Sequence, residues 1–592
     1  MPSSPHTLLC GILIVLALWT PAAQQATAAR GDAAFTAVAD EFVREHLRRY
    51  PTYATLLGVH DHDDRLEDFS KQAVLEEIGS LRAFRGRVSA VDASTLSLDA
   101  QLDREQLLLA IDSLLLEQDV IRPWATRPDM YSSGITRTAF VMVKRSFAPP
   151  DVRLKALIAR ERQMTQALQE ARANLENPPA IHTEIAIEQL DGNRAFFAEA
   201  VPAAFATITD ERLLGEFKAA NDAVIEALGS YKAFLETELR PRSNGRFAIG
   251  RDTLSRKFAA DEMVHVPLDR LLAIARADLE RNQEAFRAAA ARIAPGRPAV
   301  AVLAELSANH PPPERLLEVT QGMLDSLRQF IESRSILTIP QGEPARVEET
   351  PPFLRATTSA SMDTPGPFET QSTEAYYNMT LPEPSWPLDR VESFMRQWYV
   401  PMIANVSIHE VYPGHYTQFL YGPRFPSRVR KVFGAATNSE GWAHYTEQMM
   451  LDEGYQNGDP AYRLAQLQDA LLRDVRFIVG IKMHTEEMTV EEAQRLFEQD
   501  AYQPPPVALS EARRGTSDPT YGYYTLGKLM ILKLRDDYRV RQGQAFSLRE
   551  FHDRFLRLGP LPLPLVRRAM LGEEGDPLPR LTAAPAAGPG VR

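Results

Sequence analysis

Apolar residues recur along most of the chain at the three-to-four-residue spacing of amphipathic helices. One stripe runs through Leu154, Leu157, Ile158, Met164, Leu168, Ala171 and Leu175, with Asp151 placed to cap its start. It stops at Asn177-Pro178-Pro179, where proline cannot continue a helix. A second stripe follows Pro267 with Leu268, Leu271, Leu272, Ala275 and Leu279. Both predict helices that turn one face to a core. From roughly 334 to 380 the texture changes. Ile336–Ile339, Phe353–Thr358 and Glu374–Thr380 read as short strands between Pro and Gly breaks. A small sheet is thus expected before a long helical stretch that begins near Leu388.

The two ends carry other patterns. Leu8–Trp19 is a continuous apolar run, followed by Thr20-Pro21 and small residues. That order reads as a secretory signal peptide, with cleavage after Ala23 or Ala28. The run is shorter than the roughly 20 residues a membrane-spanning helix needs. The stretch Pro577–Arg592 is rich in Ala, Pro and Gly and is expected to be disordered. The reading is a signal peptide over 1–28 and an N-terminal helical region over 31–240. A metal-binding catalytic region over 241–576 continues the same domain, and a tail covers 577–592. The protein is expected in the periplasm or secreted, with no transmembrane anchor after signal removal.

Composition narrows the function classes. The 592 residues hold 66 Lys and Arg against 78 Asp and Glu, a formal charge of −12. This argues against nucleic-acid binding, which needs a basic patch. The single cysteine, Cys10, lies inside the apolar run. A mature chain without cysteine has no disulfide, no cysteine nucleophile and no thiolate metal site. Any metal must be held by His, Asp and Glu.

The informative segment is His409-Glu410-Val411-Tyr412-Pro413-Gly414-His415. Zinc hydrolases often carry H-E-x-x-H on one helix, because four residues advance a helix by about 400° and align both imidazoles. Six residues advance it by about 600°, so these two histidines would point some 120° apart on a straight helix. Pro413 and Gly414 are expected to bend the helix into a bulge that returns His415 to the metal-facing side. Further on, Asn438 or Ser439 is placed to cap a new helix. On it Glu440, His444 and Glu447 fall at i, i+4 and i+7, on one face. Glu440 is the expected third ligand of a site for one Zn2+ with His409 and His415, leaving one position open. His444 and Glu447 are expected to orient those ligands.

These motifs resemble the DUF885 family, a group of bacterial proteins similar to zincin-type helical metallopeptidases. The resemblance is carried by Pro51–His60 with Asp64–Asp68, by Ala375–Asn378, by the HEVYPGH and EGWAHYTE stretches, and by Asp518–Leu529. Members carry His-His after Pro-Gly, whereas this chain has His415-Tyr416, which leaves His415 as the one nearby ligand. The resemblance implies a mainly α, zincin-like architecture with a small β-sheet before the metal-binding helix. It also implies Glu410 as general base and a tyrosine near the C-terminal motif as transition-state stabiliser. Chemistry agrees on Glu410, a carboxylate adjacent to a ligand. Tyr521, Tyr523 and Tyr524 compete for the second role, and Tyr524 is chosen.

The expected function is an exported zinc peptidase that cleaves short peptides by Glu-assisted attack of water at the metal. A metallohydrolase of other amides or esters, or an exported helical binding protein with a vestigial site, are the alternatives. Tyr376, Tyr377 and Asn378 are expected to bind an extended peptide by edge pairing. Arg513 and Arg514 could meet a substrate carboxylate but are assigned to the surface, and the His60–Asp64 cluster reads as a solvated loop.

Overall fold

The computed structural model describes residues 21–350, 355, 358–572 and 575–579. The run Leu8–Trp19, Cys10 and the tail beyond 579 lie outside them. Among the described residues helices dominate, and no helix is long and apolar enough to cross a membrane. The two stripes form the helices Pro150–Asn174 and Leu268–Ile293. Every apolar residue named for them above is buried. Asp151 is not the cap. Pro149 holds that place and Pro150 opens the helix, where its missing N–H costs nothing.

Three short strands form one sheet: β1 (Arg346–Glu349), β2 (Ala360–Asp363) and β3 (Tyr376–Met379). The order is β1-β3-β2, with β1 parallel and β2 antiparallel to β3. Only the third expected strand coincides with an observed one. Ile336–Ile339 forms none, because the Thr338 N–H and hydroxyl donate to the Asp553 carboxylate at 2.7 and 2.6 Å. Phe353–Thr358 falls mostly outside the described residues, and β2 begins beyond it.

One apolar core gathers residues from Leu66 to Leu239, and a larger one draws mainly on residues from Leu254 to Leu578. The helix Leu98–Leu115 is tied to the second half of the chain by charge. The buried Arg430 guanidinium donates to Asp103 at 2.6 Å and Asp99 at 2.9 Å. The His60–Asp64 cluster does lie in a loop, with Asp61 and Asp64 exposed, but His60 itself is turned inward. Its Nδ1 lies 2.9 Å from Asp63 and its Nε2 3.0 Å from Glu369, and its ring stacks on Phe147.

Four helices frame the site. Val400–Glu410 packs against both Ala436–Asp452 and Pro460–Thr485, and Ala436–Asp452 lies along Tyr523–Gln542. The last pair cross nearly backbone to backbone. A Cβ on Gly441 would meet Gly527 Cα at 2.5 Å, and one on Gly527 would meet Thr437 O at 2.1 Å. Neither expected residue caps Ala436–Asp452. The distant Glu262 carboxylate accepts from Ala436 N at 2.9 Å and Thr437 N at 3.1 Å, satisfying donors that a helix start leaves free.

Candidate metal centre

The helix carrying His409 does not bend through to His415. It ends at Glu410, and a separate short helix, His415–Phe419, begins at the second histidine. The intervening chain folds back over the helix end. Val411 N and Tyr412 N both donate to Ser407 O, and Gly414 N donates to Ile408 O at 3.0 Å. A Cβ on Gly414 would meet His409 O at 1.8 Å, so glycine alone permits this approach. The Tyr412–Pro413 peptide is cis. In place of the expected bulge there is a full break between two helices, and it brings His415 to the side of His409 that a bulge was expected to reach. Trp442 ties the turn to the next helix by donating from Nε1 to Pro413 O at 2.9 Å.

His409, His415 and Glu440 come together, each offering one ligand atom within 4.8 Å of the others. No other group of three His, Cys, Asp or Glu among the described residues does so. Glu440 Oε2 lies 3.5 Å from His409 Nε2 and 3.2 Å from His415 Nε2. Yet that oxygen is buried with no hydrogen-bond partner, as is His415 Nδ1. The three atoms converge on a common point instead of bonding one another. Bonds of about 2.0–2.1 Å to a tetrahedral ion place neighbouring donors about 3.3–3.4 Å apart. The residues present thus fit a zinc-sized cation of the His/His/Glu kind.

Behind the ligands lies a dense polar layer. Nδ1–H of His409 donates to Glu447 Oε1 at 2.7 Å. Glu447 Oε2 accepts from His444 Nδ1 at 3.2 Å, and Arg473 Nη2 reaches Oε1 at 3.1 Å. Asn405 bridges Glu447 and Asp469. His444 therefore holds Glu447 and is not one of the clustered donors. Burial acts to raise the Glu447 carboxyl, but Arg473, His444 and His409 overcome it and hold it well below the usual range. Burial raises Glu440 likewise, and His415 and His409 pull it well below. Burial and Arg473 act to lower His409, but Glu440 and Glu447 outweigh them and lift it to about 9. A cation among the same donors would displace that proton.

Glu410 is partly buried beside the cluster. Burial pushes its carboxyl up and Glu440 adds to this, while His409, His415 and Arg473 pull it down. The net effect is a rise, so the Glu410 carboxyl holds a proton more readily than an exposed one. Tyr524 stacks on His409 with ring centroids 6.3 Å apart, and its hydroxyl, raised mainly by burial, senses Glu440. Tyr521 is buried away from solvent, and Tyr523 donates to Asp518 at 3.3 Å. Tyr524 is thus the tyrosine that flanks the ligands.

The expected edge pairing at Tyr376–Asn378 does not hold. They form the central strand β3, whose two edges are taken by β1 and β2. Tyr377 and Asn378 are buried, and Tyr377 faces Glu410 and Ser407 of the His409 helix. The outer edges of the sheet belong to β1 and β2. Arg473 and Asn405 were not anticipated. The only trace of Arg473 in the sequence is its place among the charges Asp469, Asp474 and Arg476 in the middle of the helix Pro460–Thr485.

Fold and site together define a mainly helical protein with a His/His/Glu cluster assembled from two helix starts and one helix end. The chain belongs to the family described as "Bacterial protein of unknown function (DUF885)", which matches residues 51–570. A structure from Shewanella oneidensis, titled as a "putative lipoprotein of unknown function", is similar with a TM-score of 0.76 and 26% identity. The match covers 91% of this chain and 99% of that one. A "putative lipoprotein" from Colwellia psychrerythraea shares the fold with a TM-score of 0.77 at 17% identity, over 92% and 98% of the two chains. No curated protein matches the chain.

Proposed function

We propose that this protein is an exported zinc peptidase acting on short peptides. The observation that carries the reading is the convergence of His409, His415 and Glu440, with Glu447 backing His409 and Glu410 alongside. Export is supported by the apolar run Leu8–Trp19 and by the description of the Shewanella oneidensis neighbour as a lipoprotein. A zinc ion held by the three ligands would polarise a carbonyl and acidify water.

The chain's own residues supply the rest. Glu410 takes a proton from the attacking water as its oxygen adds to the scissile carbonyl carbon. The Tyr524 hydroxyl donates to the oxyanion that develops there. Glu410 then delivers the proton to the leaving nitrogen as the C–N bond breaks. Glu447, Arg473 and His444 keep the His409 ring in one tautomer and one orientation.

The test compares Glu410→Gln with wild type on a peptide library, with bound zinc measured in both. Stoichiometric zinc in each, with turnover lost only in the variant, is the expected result. Wild-type hydrolysis by the variant overturns the base assignment, and absence of stoichiometric zinc in wild type overturns the reading.

A further inference from the structure

Three arginines surround Tyr524, and they differ in one respect. Arg473 is committed to Glu447 at 3.1 Å and Asp469 at 3.7 Å, with its side chain 9% exposed. Arg476 is committed to both oxygens of Glu511, each at 2.7 Å, with 11% exposed. Their guanidinium groups lie 5.5 and 5.3 Å from the Tyr524 ring centre and act as a charged floor beneath it. Arg514 is different. Its side chain is 37% exposed, and a single nitrogen, Nη2, meets Asp518 at 3.1 Å and the Tyr523 hydroxyl at 3.4 Å.

Asp518 thus steadies the Arg514 fork by one corner and leaves the remaining N–H groups available. The Tyr523 ring, whose hydroxyl Arg514 meets, lies 4.9 Å from the Tyr524 ring, and the Tyr524 ring stacks on the ligand His409 with centroids 6.3 Å apart. Two adjacent tyrosines therefore line the way from an available guanidinium to the metal ligands. Two ring-to-ring steps, less a contact at each end, leave a gap on the scale of about one amino-acid residue, roughly 3.8 Å between successive Cα atoms. Its neighbour Arg513 points elsewhere and pairs with Glu188 at 2.8 Å.

We propose that Arg514 binds the C-terminal carboxylate of a peptide whose last bond lies at the His409/His415/Glu440 centre, so that one amino acid is released per cycle. This rests on the peptidase reading and narrows it to a carboxypeptidase. A planar guanidinium fork matches a carboxylate with two parallel N–H···O bonds. Water adds to the last peptide carbonyl, the C–N bond breaks, and the water oxygen stays in the shortened peptide's new carboxylate. The proton taken by Glu410 passes to the released amine. Water is the only co-reactant, and nothing is oxidised or reduced.

The experiment uses the full zinc-loaded protein and pairs of N-acylated dipeptides that differ only in a free or an amidated C-terminus. The free acids are expected to have a kcat/KM on the order of tenfold to a hundredfold higher, the range of a charge-assisted hydrogen bond. In Arg514→Met the acid-to-amide ratio is expected to fall to near one, and in Arg514→Lys, the safer variant for folding, to an intermediate value. A second readout needs no turnover: N-acetylated amino acids should raise the Tm of wild type but not of Arg514→Met. Equal hydrolysis of acid and amide by wild type overturns the Arg514 assignment and leaves the peptidase reading standing. An unchanged ratio in both variants does the same. Zinc-bound protein that cleaves neither substrate, nor any member of the peptide library, overturns both.

Discussion

Nδ1 of His409 donates to Glu447 Oε1 at 2.7 Å, and this leaves Nε2 of the same ring turned toward Glu440 and His415. The bond fixes which nitrogen carries the proton and which can bind a cation. Glu447 is itself fully buried and gripped by Arg473, His444 and Asn405, so the ring is held from behind by a closed network.

Removing the charge from that network should weaken the metal without removing a ligand. Glu447→Gln is expected to lower zinc affinity by about tenfold to a hundredfold. Competition against a chelating dye reads this directly. Wild-type affinity in the variant would mean that Glu447 only fills space.

Tyr524→Phe keeps the ring against His409 and deletes the hydroxyl. Loss of one donor to a developing oxyanion costs about 10²–10³ in kcat, with KM little changed. Tyr523→Phe, whose hydroxyl is engaged by Asp518, is expected to affect kcat far less. Steady-state kinetics on one peptide separates the two, and the reverse order would assign the role to Tyr523.

The crossing at Gly441 and Gly527 leaves no room for a side chain. Gly441→Ala or Gly527→Ala forces backbone apart, a strain on the order of 1–3 kcal/mol or more. Thermal unfolding should show a lower Tm for each, and activity should fall too, because the same crossing sets Tyr524 against the ligands. An unchanged Tm would show that the helices can part without cost.

His60 bridges two acids, and its stability contribution has a pH window. Burial lowers its pKa, but Asp63 and Glu369 outweigh burial and raise it. That contribution is complete below its ordinary value of about 6.5 and is lost as pH rises through the raised value. Glu369 is held low, against burial, by the Gln371 and Ser372 N–H groups and by His60. Its contribution is present above about 4.3 and is lost as pH falls through the lowered value. The clamp is therefore strongest between about pH 4.5 and 6.5. His60→Gln should lower Tm more at pH 5.5 than at pH 8.5. Equal losses at both would remove the charge argument.

Local pattern carried much of this protein. The helical stripes, the presence of a small sheet and the donor types at 409, 415 and 440 were legible because spacing and chemistry are properties of short segments. Pro413-Gly414 announced that the helix would fail there, and it did, although as a break and not a bulge. The difference follows from Gly414, whose bare Cα lets the chain pack on the His409 carbonyl and restart a helix at His415.

What tertiary structure alone decided were relationships between distant segments. β3 became a central strand only when β1 and β2 joined it, which removed its edge from use. Glu262 caps a helix some 170 residues on, a role that no local rule assigns. His60, expected in a loop, met Glu369 across the fold. Arg514, expected at the surface, meets the hydroxyl of Tyr523, whose ring lies against Tyr524 at the start of the Tyr523–Gln542 helix. The sequence by itself determined which residues could ligate and act. Packing determined which of them face one another, because a side chain's partner is set by helix crossings that no single segment contains.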